Sequence, residues 1–184
     1  MSDARSRPKR QVAFIRGINV GKAKRVPMAG LRETLAEQGF ENVRTLLNSG
    51  NVVFDAPGTA RSNAARIESL IAETFGVSAR VLGHSAATLA TIVGQNPLVE
   101  IATDPSRLMV VMWLDRKAPT ALEPLLDRDW GRERLAVGSH AAYLWCPDTI
   151  LASELHEAVA SVLGAGATVR NWRTVLKVHD VAVQ

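Results

Sequence analysis

Cysteine is nearly absent from this chain: Cys146 is the single one among 184 residues. One cysteine cannot close an intrachain disulfide, so nothing ties the fold to an oxidising compartment, and no thiolate metal set can form. Long apolar runs are missing too. The longest, Leu108 to Leu114, spans seven residues, against the roughly 20 that a membrane-spanning helix needs. A secretory leader is not expected either, because the basic start leads into only Val12-Ala13-Phe14-Ile15 before Arg16. These absences point to a cytoplasmic protein with a structural thiol before Pro147 and no membrane partner. What is present is ordinary: 47% apolar and 22% charged residues, ample material for a core.

The net charge of +4 and the pI near 9.7 invite a nucleic-acid reading, but the charge is local. Residues 1–10 hold Arg5, Arg7, Lys9 and Arg10 against Asp3, which leaves 18 basic and 17 acidic side chains for the remainder. Within that remainder, residues 11–50 carry six basic and three acidic groups, and residues 51–184 carry 12 and 14. The basicity is therefore a disordered tail over residues 1–10 plus one cluster behind it, not a basic domain.

Val12–Ile15 does not alternate and reads as a strand buried on both faces. Pro27 suits the first turn of a helix whose stripe is Met28, Leu31 and Leu35, closed by Gly39-Phe40. Strands are expected at Val43–Leu47 and Val52–Phe54, joined by a tight turn over Asn48-Ser49-Gly50-Asn51. Ser62 is read as the cap of a helix carrying Ile67, Leu70, Ile71 and Phe75, followed by a strand at Ala79–Leu82 and a helix capped by Ser85. Strand, helix, strand, strand, helix, strand is the split βαβ, or ferredoxin-like, order. Its sheet order, 4-1-3-2, sets the end of strand 1 beside the turn between strands 2 and 3.

The second half repeats this less completely. It offers a strand at Leu108–Leu114, a helix at Ala118–Leu126, a strand pair at Arg134–Val137 and Ala142–Trp145, and a helix with Leu151, Leu155, Val159, Val162 and Leu163. Gly164-Ala165-Gly166 then leads to a last helix from about Asn171, with Trp172, Val175, Leu176 and His179 inward. The expectation is an α+β protein of two tandem ferredoxin-like modules packed together, residues 11–97 and 106–184, with an extra C-terminal helix.

Three stretches carry a resemblance. VAFIRGINVGKAKRVPMAGLRETLAEQGF, VRTLLNSGNVVF and VRNWRTVLKV resemble the bacterial family called domain of unknown function 1697. Its members open on an "ALLRGINVGG" strand and loop, then carry "VPM", an "SGNVVF" turn and a terminal "TRNW" helix. The resemblance runs from about Val12 to Val178 and implies a two-part fold with ferredoxin-like halves; it implies no activity. The chain departs from the pattern at Ala23, where a second Gly or Asn is common, at Asn48, where Gln is common, and in its basic tail.

The first candidate site joins Arg16, Asn19, Gly21, Lys22 and Lys24 to Asn48, Ser49 and Asn51. Glycines expose backbone amides, and Lys and Arg add positive charge, a chemistry suited to a phosphate- or carboxylate-bearing ligand. The stretch is neither a Walker loop nor a dinucleotide fingerprint. A bracing role stands beside this reading, with Arg16 and Asn51 tying loop to turn. A second cluster, Arg170-Asn171-Trp172, places Asn171 as a helix cap and Arg170 as an added cation; anchoring of the helix by Trp172 is the alternative. No catalytic set is legible. Ser49 lacks the G-x-S-x-G context, His156 lacks a partner histidine four residues away, and His84, His140 and His179 are scattered. Neither a metal nor a cofactor is expected. The reading is a small-anion binder. The alternatives are a nucleic-acid-associated protein using the basic tail, and a structural or protein-interaction module without a ligand. An RNA-recognition sheet is disfavoured, since only Phe14 and Phe54 could offer aromatic faces on strands 1 and 3.

Overall fold

A computed structural model describes residues 7–21 and 24–184. The chain divides into two units, one formed by residues up to Leu89 together with Val178–Gln184, the other by Ala90–Lys177.

In the first unit β1 (Lys9–Arg16) is followed by α1 (Met28–Glu37), β2 (Glu41–Leu46), β3 (Asn51–Ala56), α2 (Ala60–Phe75) and β4 (Arg80–Ser85), and α3 (Ala86–Gly94) begins here. The four strands form one antiparallel sheet in the order β2-β3-β1-β4. Lys9 and Arg10, assigned to the tail by composition, are strand residues, and the Arg10 guanidinium holds Asp55 of β3 at 2.7 Å. Cross-strand pairing outweighs local polarity here. Val12 to Ile15 are fully buried, as a run without alternation requires. One face of the sheet packs Ala13, Ile15, Val52 and Phe54 against Leu31 and Leu35 of α1 and Ile67 and Ile71 of α2. The cap of α2 is Thr59 rather than Ser62. Thr59 Oγ1 accepts the Ser62 N–H at 3.1 Å, and Ser62 Oγ accepts the Thr59 N–H at 3.2 Å, a reciprocal box in which Ser62 is the third helical residue.

The second unit continues with β5 (Leu108–Trp113), α4 (Ala118–Leu126), β6 (Arg134–Val137), β7 (Ala141–Trp145), α5 (Glu154–Leu163), β8 (Ala167–Asn171) and the start of α6 (Trp172–Ala182). Its antiparallel sheet has the order β6-β7-β5-β8. Strand β8 has no counterpart among the sequence expectations. It pairs Ala167–Asn171 with Trp113–Met109 of β5, so Arg170 lies on an edge strand that runs directly into α6. The buried positions of α6 are Trp172, Thr174, Val175, Val178 and Ala182, with Leu176 and His179 half-buried. Leu151 lies outside α5 in a 3-10 turn, 95% exposed. Tyr143 of β7 is buried and donates its hydroxyl to the Ile92 carbonyl at 2.6 Å.

Cys146 is buried at the end of β7, its Sγ–H directed to Ser153 Oγ at 3.3 Å. Burial pushes the thiol pKa up to about 11, with the nearby Glu133 carboxylate acting the same way and the Ser153 bond opposing it. Burial also raises Tyr143 to about 12. Both groups hold their protons in the folded state after the unfolded chain has begun to lose them. The folded state thus binds more protons above about pH 9, and stability falls as pH rises from there through the raised values. Thiol labelling at pH 8 should be slow in native buffer and fast in urea; rapid labelling of the folded protein would contradict the burial.

Candidate functional site

The antiparallel register brings the two polar stretches together. Phe14 lies opposite Asn51, and the Ile15 N–H donates to the Gly50 carbonyl at 2.7 Å. Gly50 has φ +82°, and a Cβ there would lie 2.8 Å from Ile18 Cδ1 and 2.9 Å from Ile15 Cβ. The turn therefore needs glycine both for its backbone angle and for closeness to the loop. From the loop side, Ile18 and Val26 are buried in the first unit's core and pin both limbs of the segment that runs between them.

Asn19 locks loop to turn. Its Nδ2 donates to the Asn48 carbonyl at 2.8 Å and to the Val26 carbonyl at 3.0 Å, while its Oδ1 accepts the Val26 N–H at 2.9 Å. The Asn19 N–H also reaches the Lys24 carbonyl at 2.9 Å. Asn51, the first residue of β3 rather than part of the turn, acts in the same way: fully buried, it donates to the Leu46 carbonyl at 2.8 Å and to Ser49 Oγ at 3.1 Å. Two of the predicted ligand residues thus serve as braces. Gly21 has φ +64°, the left-handed region that favours glycine, and a Cβ added to it would meet nothing within 4 Å among the described residues. Arg16, Lys24, Asn48 and Ser49 are exposed around the clamp. Lys22 and residues 1–6 of the basic tail lie outside the described residues.

Several features of this edge escaped sequence reasoning. Arg16 lies directly opposite Arg80 at the start of β4, two like charges in cross-strand register. Glu68 of α2 answers Arg80 at 3.5 Å and accepts the Val81 N–H at 3.0 Å. Arg25, next to Lys24, is exposed as well. Val20 (71% exposed) and Leu47 (47%) are large apolar side chains in the same loop and turn, and Leu47 and Lys24 take positive φ values of 60° and 57°. Non-glycine residues in that region carry strain of roughly 1–2 kcal/mol.

Arg170 and Asn171 belong to the second unit. Arg170 donates to Thr168 Oγ1 at 3.1 Å and to the Val169 carbonyl at 2.8 Å, and burial lowers its pKa to about 10, still charged at neutral pH. Asn171 does cap α6, its Oδ1 accepting the Thr174 N–H at 2.9 Å. The later part of α6 belongs to the first unit, where the Val181 carbonyl accepts from Arg10 at 3.4 Å. Arg10 and Arg16 stand at opposite ends of β1, roughly 20 Å apart at a strand's rise per residue. That stretch of α6 therefore lies by the far end of the strand from the polar loop. Among the described residues, no three His, Cys, Asp or Glu side chains gather as metal ligands, and no helix is long and apolar enough to cross a membrane.

Residues 9–143 match the family described as "Protein of unknown function (DUF1697)". The chain belongs to this family. The family match takes in both polar stretches of the edge and stops short of Arg170. A solved structure, "conserved bacterial protein SP0830 from Streptococcus pneumoniae", is similar to this chain with 22% identity over 95% of this chain and 99% of that one, at a TM-score of 0.77. At that identity the likeness speaks for the fold. No curated protein matches the chain.

Proposed function

We propose that the edge formed by the 16–24 loop and the 48–51 turn binds a small anionic ligand bearing a phosphate or carboxylate, with Arg16, Lys24, Asn48 and Ser49 toward it and Arg25 and Arg80 adding field. We further read each unit as a ferredoxin-like module, a reading supported by the shared order of strands in the two sheets. The observation that carries the ligand proposal is the placement of Arg16 opposite Arg80. Together with the exposed Lys24 and Arg25, that placement gathers positive charge at one edge, a field that favours an anion. Support also comes from the bracing by Asn19 and Asn51, which holds the rim in place before any ligand arrives.

Lys24 allows a discriminating test. Lys24→Gly removes a cation and at the same time relieves a positive φ. Calorimetric titration with inorganic phosphate, citrate and a sugar phosphate should show affinity falling about 3- to 10-fold in Lys24→Gly and further in Arg16→Ala, as expected for the loss of one charge-assisted contact. The melting temperature of ligand-free Lys24→Gly should rise, by an amount worth about 1 kcal/mol. Absence of binding by wild type to all three probes, or equal binding by the variants, would remove the ligand reading and leave a structural edge.

A further inference from the structure

Two apolar side chains stand among the cations of the loop-and-turn edge. Among the described residues of the first unit, three large apolar side chains are exposed: Val20, Leu47 and, after α6, Val183. Two of the three therefore belong to one edge, and they are held near each other. The Asn19 Nδ2–H donates to the Asn48 carbonyl at 2.8 Å, and Val20 and Leu47 each sit one residue from an end of that bond. Arg16, Lys24 and Arg25 are exposed in the same loop. Leu47 also departs from what its backbone calls for. It opens the turn, its carbonyl accepting the Gly50 N–H at 3.4 Å, and it takes φ +60°. Glycine or asparagine holds that conformation with less strain than leucine does. The Leu47 side chain fills no core position that would account for it. Strain of this kind clusters where a side chain is placed for contact with a ligand.

We propose that the anion taken up at this edge carries a short aliphatic group, as an alkyl phosphate or alkyl carboxylate does, whose body lies across Val20 and Leu47 while the cations hold the charge. This inference rests on the anion-binding reading of the edge and adds the class of compound. A bare phosphate or carboxylate would use only the cations. An aliphatic group beside the charge would also take the two apolar side chains out of water, with the charged contact fixing its orientation.

The test is calorimetric titration of the full chain with two matched pairs, inorganic phosphate against hexyl phosphate and acetate against hexanoate. Hexanol is the uncharged control and should show no saturable binding. In whichever pair binds, the alkyl compound should bind about 5- to 20-fold more tightly than the bare anion, as covering about one or two methylene groups would give. Val20→Ser should reduce that gain about 3-fold and leave the melting temperature close to wild type. Leu47→Asn separates a ligand contact from a structural one. Relief of the positive φ should raise its melting temperature by about 2–4 °C. It should nevertheless lose most of the gain, while its affinity for the bare anion stays within about 2-fold of wild type. Equal affinity of wild type for alkyl and bare anions, or a gain that survives in both variants, overturns this inference and leaves the anion reading standing. No binding of any probe, or binding of hexanol alone, overturns the anion reading and this inference with it.

Discussion

Gly83→Ala should lower stability by about 3 kcal/mol, the upper range for forcing extra volume into a packed interior. Gly83 sits within β4, opposite Ala13 of β1. A Cβ at this position would lie 2.3 Å from the Ala60 carbonyl oxygen and 2.9 Å from both the Ala60 carbonyl carbon and Ala64 Cβ. These atoms belong to the first turns of α2, and two of them are backbone, so no side-chain rotation can make room. The helix would have to lift from the strand, disturbing the burial of Ile67 and Ile71 along with it. For a chain of this size the loss corresponds to a melting temperature lower by roughly 6–12 °C. Gly94→Ala is the matched control, since a Cβ there meets nothing within 4 Å. Thermal or urea unfolding of the pair checks the claim. Equal stability of the two variants would show that α2 does not rest on β4 as closely as these distances require.

Asn19→Ala should be nearly as damaging, at about 2–3 kcal/mol, although the residue is half-exposed and lies in a loop. Three side-chain hydrogen bonds disappear, each worth about 1 kcal/mol net. Alanine also tolerates the φ of +56° less well than asparagine does. Asn19→Gly should be milder by about 1 kcal/mol, because it loses the same bonds and relieves the backbone. Amide exchange offers a local readout: the Val26 N–H, which donates to Asn19 Oδ1, should lose protection in both variants. Unchanged protection at Val26 would refute the clamp. The proposed anion site predicts a fall in affinity at the edge as well, since the clamp holds the turn against the loop.

The meeting of loop and turn was legible because it depends on strand order, and the order of buried runs and turn residues reports that directly. Val12–Ile15 and Val52–Phe54 could hardly be anything but central strands. Strand β8 was hidden for an equally physical reason. Ala-Thr-Val-Arg-Asn has one large apolar side chain, pairs along one edge only and runs straight into a helix, so neither alternation nor a turn marks it. Arg80 was overlooked because its place beside Arg16 follows from an antiparallel register that no local motif records. The residue types near Asn19 and Asn51 suggested ligand contact, and the types were right for hydrogen bonding. Their partners are main-chain groups, which loop closure alone brings into range. Leu47 gave no signal, since leucine rarely takes a positive φ and Asn48 beside it was the better candidate for that conformation.

The first unit is discontinuous: it takes in residues up to Leu89 and then Val178–Gln184, after the whole of the second. Val178 and Ala182 are buried in that late segment, and its Val181 carbonyl meets Arg10 near the beginning of the chain. Synthesis on the ribosome proceeds in one direction, so the unit that is started first is finished last. The emerging second unit can complete its own sheet while the first still waits for the piece that closes it. A nascent chain stalled anywhere between residues 89 and 178 therefore carries an open first unit, and the order of translation, as much as the order of strands, governs when the cationic edge comes to rest on a finished scaffold.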